Sequence, residues 1–191
     1  MVMDWADISY LRAGTPRQQA AYTVLQDLDI FAQLQPYSPL LAGTIPLAVY
    51  TPQSDLDIIC EAHNLNEFLD TITNYFGHHS AFVSRQKRLQ NTDTAVIYFE
   101  YDHFPLEIFA QPRPVRQQNA YRHLLVESRL LAIGGDAARE AIRTLKASGM
   151  KTEPAFAQYF RLSGDPYAVL LELSYLDAYE LRSLIARRRF E

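Results

Sequence analysis

Apolar positions recur at helical spacing early in the chain, where Ala20, Ala21, Val24, Leu25 and Leu28 fall among glutamines and aspartates. Thr15 and Pro16 stand just ahead, a hydroxyl cap and then a proline suited to a first helical turn, so a helix is predicted from Pro16. A shorter helical piece over 30–34 stops before Pro36, and Pro39 introduces an apolar run over 40–42 that ends at Gly43-Thr44. The spacing then changes to alternation over 55–62, which predicts a strand. Asn64 with Glu67 three residues on reads as a capping box for the next helix. Its apolar stripe is Phe68, Leu69, Ile72, Tyr75 and Phe76, and Gly77 closes it. Three further strands are expected over 81–89, 95–101 and 104–110, the last two joined as a hairpin at Asp102-His103.

Beyond Pro114 the pattern turns helical, over about 117–133, 136–147, 154–160, 166–173 and 177–188, with Gly134-Gly135, Gly149 and Gly164 between them. No internal repeat or low-complexity tract is visible. The expected class is α+β: a mixed sheet flanked by helices over 1–112, then a helical region over 113–191 packed on that core.

Composition narrows the picture modestly. The chain has 191 residues, 48% apolar and 21% charged, as soluble globular proteins do. A formal charge of −4 speaks against a dedicated nucleic-acid binder, which carries a basic excess, so long nucleic acid is not the expected partner. Cys60 is the single cysteine, which leaves no internal disulfide and reads as a buried thiol in a reducing compartment. The start of the chain shows no basic stretch leading into an apolar one, and no run approaches the roughly 20 apolar residues of a membrane span. A cytoplasmic protein without a membrane partner is expected.

The chemistry gathers around 40–60. Asp55 and Asp57 share one face of an extended strand, with Leu56 and Ile58 on the other. At about 3.3 Å per residue their α-carbons lie about 6.6 Å apart, enough to bracket one or two hard cations. Gly43 permits close backbone approach, and the Thr44 hydroxyl with nearby amides can hold phosphate oxygens. On a later strand Glu107 stands between Leu106 and Ile108, an acid that needs a reason in a half-buried setting. Glu100 and Asp102 compete with it, read more simply as a solvent-facing acid and a turn acid.

Gly43-Thr44, ten intervening residues, and then Asp55-x-Asp57 resemble the signature of the nucleotidyltransferase superfamily, the DNA polymerase beta-like group. Thr44 replaces the usual serine, and Ala48 stands where many members carry a second glycine. A closer resemblance is to a bacterial family of domains of unknown function placed among nucleotidyltransferase-like proteins. The stretches that carry it are 41–46, 54–60, 118–123, 151–156 and 164–167. The resemblance implies that Asp55, Asp57 and Glu107 hold magnesium or manganese and form the catalytic set. It also implies that Gly43, Thr44 and Ser54 meet the nucleotide. Arg85, with Lys87 on the same strand face, is a further candidate for the triphosphate.

The expected activity is transfer of a nucleoside monophosphate from a nucleoside triphosphate to a hydroxyl of a small molecule or protein, with two Mg2+ ions. A non-catalytic nucleotide-binding or regulatory module and the nucleotidyltransferase member of a toxin–antitoxin pair are the alternatives. Arg122 and Arg129, seven apart on one helix, read as surface ion pairs. His63, His103 and His123 lack ligand spacing. The Arg187–Arg189 run reads as a solvated helix end.

Overall fold

The computed structural model describes residues 4–89 and 91–188, the side chain of Arg188 excepted. The N-terminal residues 1–3 and Arg189, on which two of the readings above touch, lie outside the described residues. The chain divides into two compact units, one made of Met1–Pro46 and Gln53–Gln118, the other of Leu47–Pro52 and Asn119–Glu191.

The first unit is built on a five-stranded mixed sheet in the order β1-β2-β5-β4-β3. Its strands are β1 Leu40–Ala42, β2 Leu56–Glu61, β3 Ser80–Leu89, β4 Thr92–Tyr101 and β5 Phe104–Gln111. Strand β1 runs antiparallel to β2, and β2 runs parallel to β5. Strand β5 turns back along β4 through Asp102 and His103, both in the left-handed region at φ 44° and 64°. Two successive positive φ values match the twist of a two-residue hairpin, here without the usual glycine.

Alternation places Leu56, Ile58 and Cys60 of β2 in register with Leu106, Ile108 and Ala110 of β5, all buried. Ala95, Ile97 and Phe99 of β4 continue that apolar face. Helix α4, Leu65–Phe76, covers it with Phe68, Ile72 and Phe76, and the Phe76 ring stacks on Phe99 at 5.4 Å. Each of those buried side chains contributes about 1.5–3 kcal/mol by leaving water. Asn64 caps α4 by accepting from the Glu67 N–H, but the Glu67 carboxylate turns to the Asn64 side-chain amide instead of the backbone. Gly77 ends the helix in ordinary right-handed geometry, φ −61°, so no left-handed cap is needed there. Tyr75, expected in the stripe, is instead 44% exposed.

Helix α1, Pro16–Asp27, opens with a capping box between Thr15 and Gln18, and α2 spans Ile30–Gln33. A four-residue helix, α3 Thr44–Leu47, follows β1 directly. The second unit comprises α5 Asn119–Ala147, α6 Thr152–Tyr159, α7 Pro166–Leu173 and α8 Ala178–Arg188. Gly135, at φ 66° and ψ −157°, breaks α5 into the two helical stretches that the glycine pair foreshadows. In this unit Arg139 donates to the Leu47 carbonyl at 3.3 Å and Arg143 to the Ala48 carbonyl at 2.7 Å. No described helix is long and apolar enough to cross a membrane.

Candidate active site

The antiparallel pairing of β1 with β2 carries the end of β1 to the beginning of β2. Ala42 sits opposite Asp57, so Gly43 arrives beside the first residues of the Asp-x-Asp strand. Gly43 is at φ +72°, and a β-carbon there would run into the Asp57 carboxylate oxygen Oδ2. The glycine is required twice, for its backbone angle and for the space the aspartate occupies.

Asp57 also pairs in register with Glu107 on β5, and Glu107 with Tyr98 on β4. Ala42, Asp57, Glu107 and Tyr98 therefore form one row across four strands, on the face opposite the buried apolar one. Asp57, Glu107 and Tyr98 are each half-buried. Burial, then a hydrogen bond to Glu107 and its negative charge, push the Tyr98 phenol above its ordinary value, while Arg85 pulls it down. The Tyr98 hydroxyl thus stays protonated as a donor to Glu107. The Arg85 guanidinium lies 5.6 Å from the Tyr98 ring centroid, exposed on β3.

Asp55 is half-buried and immediately precedes β2 instead of opening it. Thr44 is 9% exposed, and its hydroxyl donates to the Ser54 hydroxyl at 3.2 Å. That bond ties the two ends of the ten-residue loop together. Two neighbouring side chains reach the same place from α1. Arg17 donates to the Ser54 carbonyl at 3.2 Å, and Gln18 donates to the carbonyls of Ile45 and Pro46.

Sequence reasoning missed Tyr98, Arg17 and Gln18. Tyr98 was recoverable, because a two-residue turn at 102–103 dictates that 98 faces 107. Arg17 and Gln18 depend on how α1 docks, which no local pattern encodes. Among the rivals, Glu100 is exposed and Asp102 lies in the hairpin turn.

The second unit corrects one reading. Arg122 and Arg129 do not make surface ion pairs. Arg122 donates to the Leu171 carbonyl at 2.7 Å and the Ser174 hydroxyl at 3.1 Å, and lies over the Tyr175 ring. Arg129 donates to the carbonyls of Ser174 and Leu176. Both close the C-terminal end of α7, whose last carbonyls lack helical partners. Their neighbour Glu127 is 3% exposed, and its Oε1 has no hydrogen-bond partner among the described residues. Burial, and next the charge of Glu153, raise its carboxyl well above the ordinary range, against a smaller pull from Lys146. Burial also pushes Glu153 up, but hydrogen bonds to His123 and backbone, with the charges of His123 and Lys146, hold it below the ordinary value.

Among the described residues no group of three or more His, Cys, Asp or Glu side chains converges as a metal site. The donor chemistry at the carboxylate row nevertheless suits a hard divalent cation. Asp57 and Glu107 offer only oxygen from adjacent register positions, Gly43 is cleared of side chain beside Asp57, and Asp55, half-buried two residues before Asp57, adds a third carboxylate to the same segment.

A family model described as a domain of unknown function, DUF4269, matches residues 23–173. No curated protein matches the chain. Among solved structures, the chain is similar to the MgGTP-bound Cid1 poly(U) polymerase at a TM-score of 0.52 and 10% identity, covering 80% of this chain and 47% of that one. It is similar to the GLD-2/RNP-8 complex at a TM-score of 0.55 and 12% identity, covering 91% and 74%. A cytoplasmic RNA terminal U-transferase gives a TM-score of 0.51 at 10% identity, covering 82% and 46%. The fold is the expected nucleotidyltransferase-like α+β fold, and the chain spans about half the length of the Cid1 structures it matches.

Proposed function

The chain belongs to the DUF4269 family, and from that premise we propose that it is a metal-dependent nucleotidyltransferase. It moves a nucleoside monophosphate from a nucleoside triphosphate to an acceptor hydroxyl. The observation that carries this reading is the register Ala42–Asp57–Glu107, with Gly43 folded under the Asp57 carboxylate.

In the reaction the acceptor oxygen forms a bond to the α-phosphorus, and the bond from that phosphorus to the bridging oxygen of pyrophosphate breaks. Asp55, Asp57 and Glu107 would hold two Mg2+ or Mn2+ ions, which would supply positive charge against the phosphates when bound. Glu107 accepts the proton leaving the acceptor hydroxyl, with Tyr98 orienting its carboxylate through the phenol hydrogen bond. Backbone amides at Gly43-Thr44, with Ser54 nearby, meet the departing phosphates, and Arg85 lies on the same strand face as a charge-assisted donor.

The acceptor is a small molecule, a protein side chain or an RNA end. Two of the similar structures are of enzymes named for building on RNA, so a net charge of −4 does not remove RNA from that set. The deciding experiment incubates the protein with labelled nucleoside triphosphates, Mg2+ and three acceptor pools: metabolites, proteins and short RNAs. Label transferred by the wild type and lost in Asp57→Asn supports the reading. Metal–nucleotide binding without transfer to any pool identifies a binding module instead, and neither binding nor transfer that depends on Asp57 removes the enzyme.

A further inference from the structure

Gln18 is 6% exposed, and the hydrogen-bonding capacity of its side-chain amide is filled. Its oxygen accepts from the Thr15 N–H at 3.0 Å and the Thr15 hydroxyl at 3.2 Å. Its nitrogen donates to the carbonyls of Ile45 at 2.9 Å and Pro46 at 3.2 Å. A side-chain amide has two donor hydrogens and two acceptor lone pairs, so none is left over. The two carbonyls close α3, a four-residue helix that begins at Thr44. In so short a helix the terminal carbonyls have no helical partner, and Gln18 supplies one.

Arg17, the preceding residue, addresses the other side of the loop. Its Nη2 donates to the Ser54 carbonyl, the peptide that leads into Asp55, at 3.2 Å. Its guanidinium also lies 4.1 Å from the ring centroid of Phe104, which opens β5. A planar guanidinium that both stacks and donates is more constrained than a lysine ammonium in the same place. One turn of α1 therefore touches three segments: α3 behind Gly43-Thr44, the approach to Asp55, and the start of the strand that carries Glu107. The chain leaves this unit at Pro46 and returns at Gln53, so within the unit the loop's two ends are linked through these side chains and the Thr44–Ser54 bond. Both residues precede the stretch 23–173 that the family model matches.

We infer that Arg17 and Gln18 are positioning residues, which together fix the Gly43-Thr44 segment relative to Asp55. The inference rests on the transferase reading of that site for its catalytic meaning. A misplacement of about 1 Å at such a site costs on the order of 100-fold in rate. The two residues have separable effects, because Gln18 backs the segment that meets the phosphates and Arg17 backs the carboxylate.

The test compares wild type with Gln18→Met and Arg17→Lys, at a temperature where unfolding curves show each variant fully folded. Amide hydrogen exchange is read over 43–47, over 54–57, and over β4 as an internal reference. Loss of the side-chain hydrogen bonds to a segment is expected to speed its local exchange about tenfold or more. Gln18→Met should do so at 43–47, Arg17→Lys at 54–57, with β4 unchanged in both. In turnover, Gln18→Met should raise KM for the magnesium nucleotide and Arg17→Lys should lower kcat, a split that general loosening would not produce. Unchanged exchange at both segments, or equal acceleration across β4, overturns the inference. Should the wild type bind no magnesium nucleotide while the local exchange pattern holds, the transferase reading falls and the positioning of the Gly43-Thr44 segment by Arg17 and Gln18 stands.

Discussion

Asp57 on β2 and Glu107 on β5 are register partners across a parallel strand pair, both half-buried on the same face of the sheet. Neither belongs to the apolar side, where Leu56 and Leu106, and Ile58 and Ile108, pair in the same way. Two carboxylates in register on one face repel each other, and the apolar core asks for neither of them. Removing either charge should therefore be easier on the fold than on the chemistry. Asp57→Asn and Glu107→Gln are expected to keep or raise the unfolding midpoint while nucleotide transfer falls by about 100-fold or more. Thermal unfolding beside a labelled-nucleotide assay checks both halves.

Gly43 should tolerate no side chain. At φ +72° a β-carbon costs about 1–2 kcal/mol in backbone strain, before it meets the Asp57 carboxylate. Gly43→Ala is expected to lower stability by at least that amount in urea unfolding. It should also weaken magnesium-nucleotide binding, because relief comes only from moving Asp57. A variant as stable as wild type would show that β1 and β2 are less closely joined here than the geometry indicates.

Ala48 presents the opposite case. This alanine adopts φ +55°, the left-handed conformation that glycine takes without strain. Arg143 holds its carbonyl at 2.7 Å, which helps keep the peptide there. Relief of the left-handed strain exceeds the added chain entropy of glycine, so Ala48→Gly should stabilise the protein by about 0.5–1 kcal/mol. Chemical denaturation of the two proteins measures it directly, and a destabilised variant would contradict the backbone assignment.

Glu127 makes stability depend on pH in a known direction. Its folded-state carboxyl titrates well above the ordinary carboxylate range, chiefly because it is buried. Below the ordinary range both folded and unfolded chains hold the proton, and Glu127 costs nothing extra. As pH rises from there toward the raised folded value, the unfolded chain releases its proton first and stability declines. The groups facing it are Glu153 and Lys146, with His123 paired to Glu153 at 3.3 Å. Glu127→Gln mimics the protonated acid, so it should match wild type near pH 4 and exceed it in unfolding midpoint at neutral pH. Parallel midpoints across that range would remove Glu127 as the source.

Much of this architecture was legible before any coordinates. The Thr15-Pro16 start, the Asn64 cap, the hairpin at Asp102-His103 and the glycine break at 134–135 each follow from local chemistry that acts within a few residues. The row Ala42–Asp57–Glu107 was only partly legible. Alternation assigns faces within a strand, but the order of strands and their register are long-range facts. Arg122 and Arg129 were misread because spacing on a helix identifies a shared face without saying what covers it. The carbonyls at the end of α7 lie about 50 positions further along the chain. Gln18 was invisible for the same reason: a glutamine on the first turn of a helix is ordinary until α3 is placed against it.

The buried thiol of Cys60 gives the molecule an internal clock. It has no exposed surface, burial pushes its acidity far out of the reactive range, and its carbonyl is held by Gln118 at 2.8 Å. A thiol-labelling reagent can reach it only when the packing over the apolar face of β2 opens, and β2 is the strand that carries Asp57. The chain has no second cysteine to confuse the signal. The labelling rate of the native protein therefore counts openings of the core around β2, and any ligand that settles on Asp57 and Glu107 and steadies that core will announce itself by slowing the count.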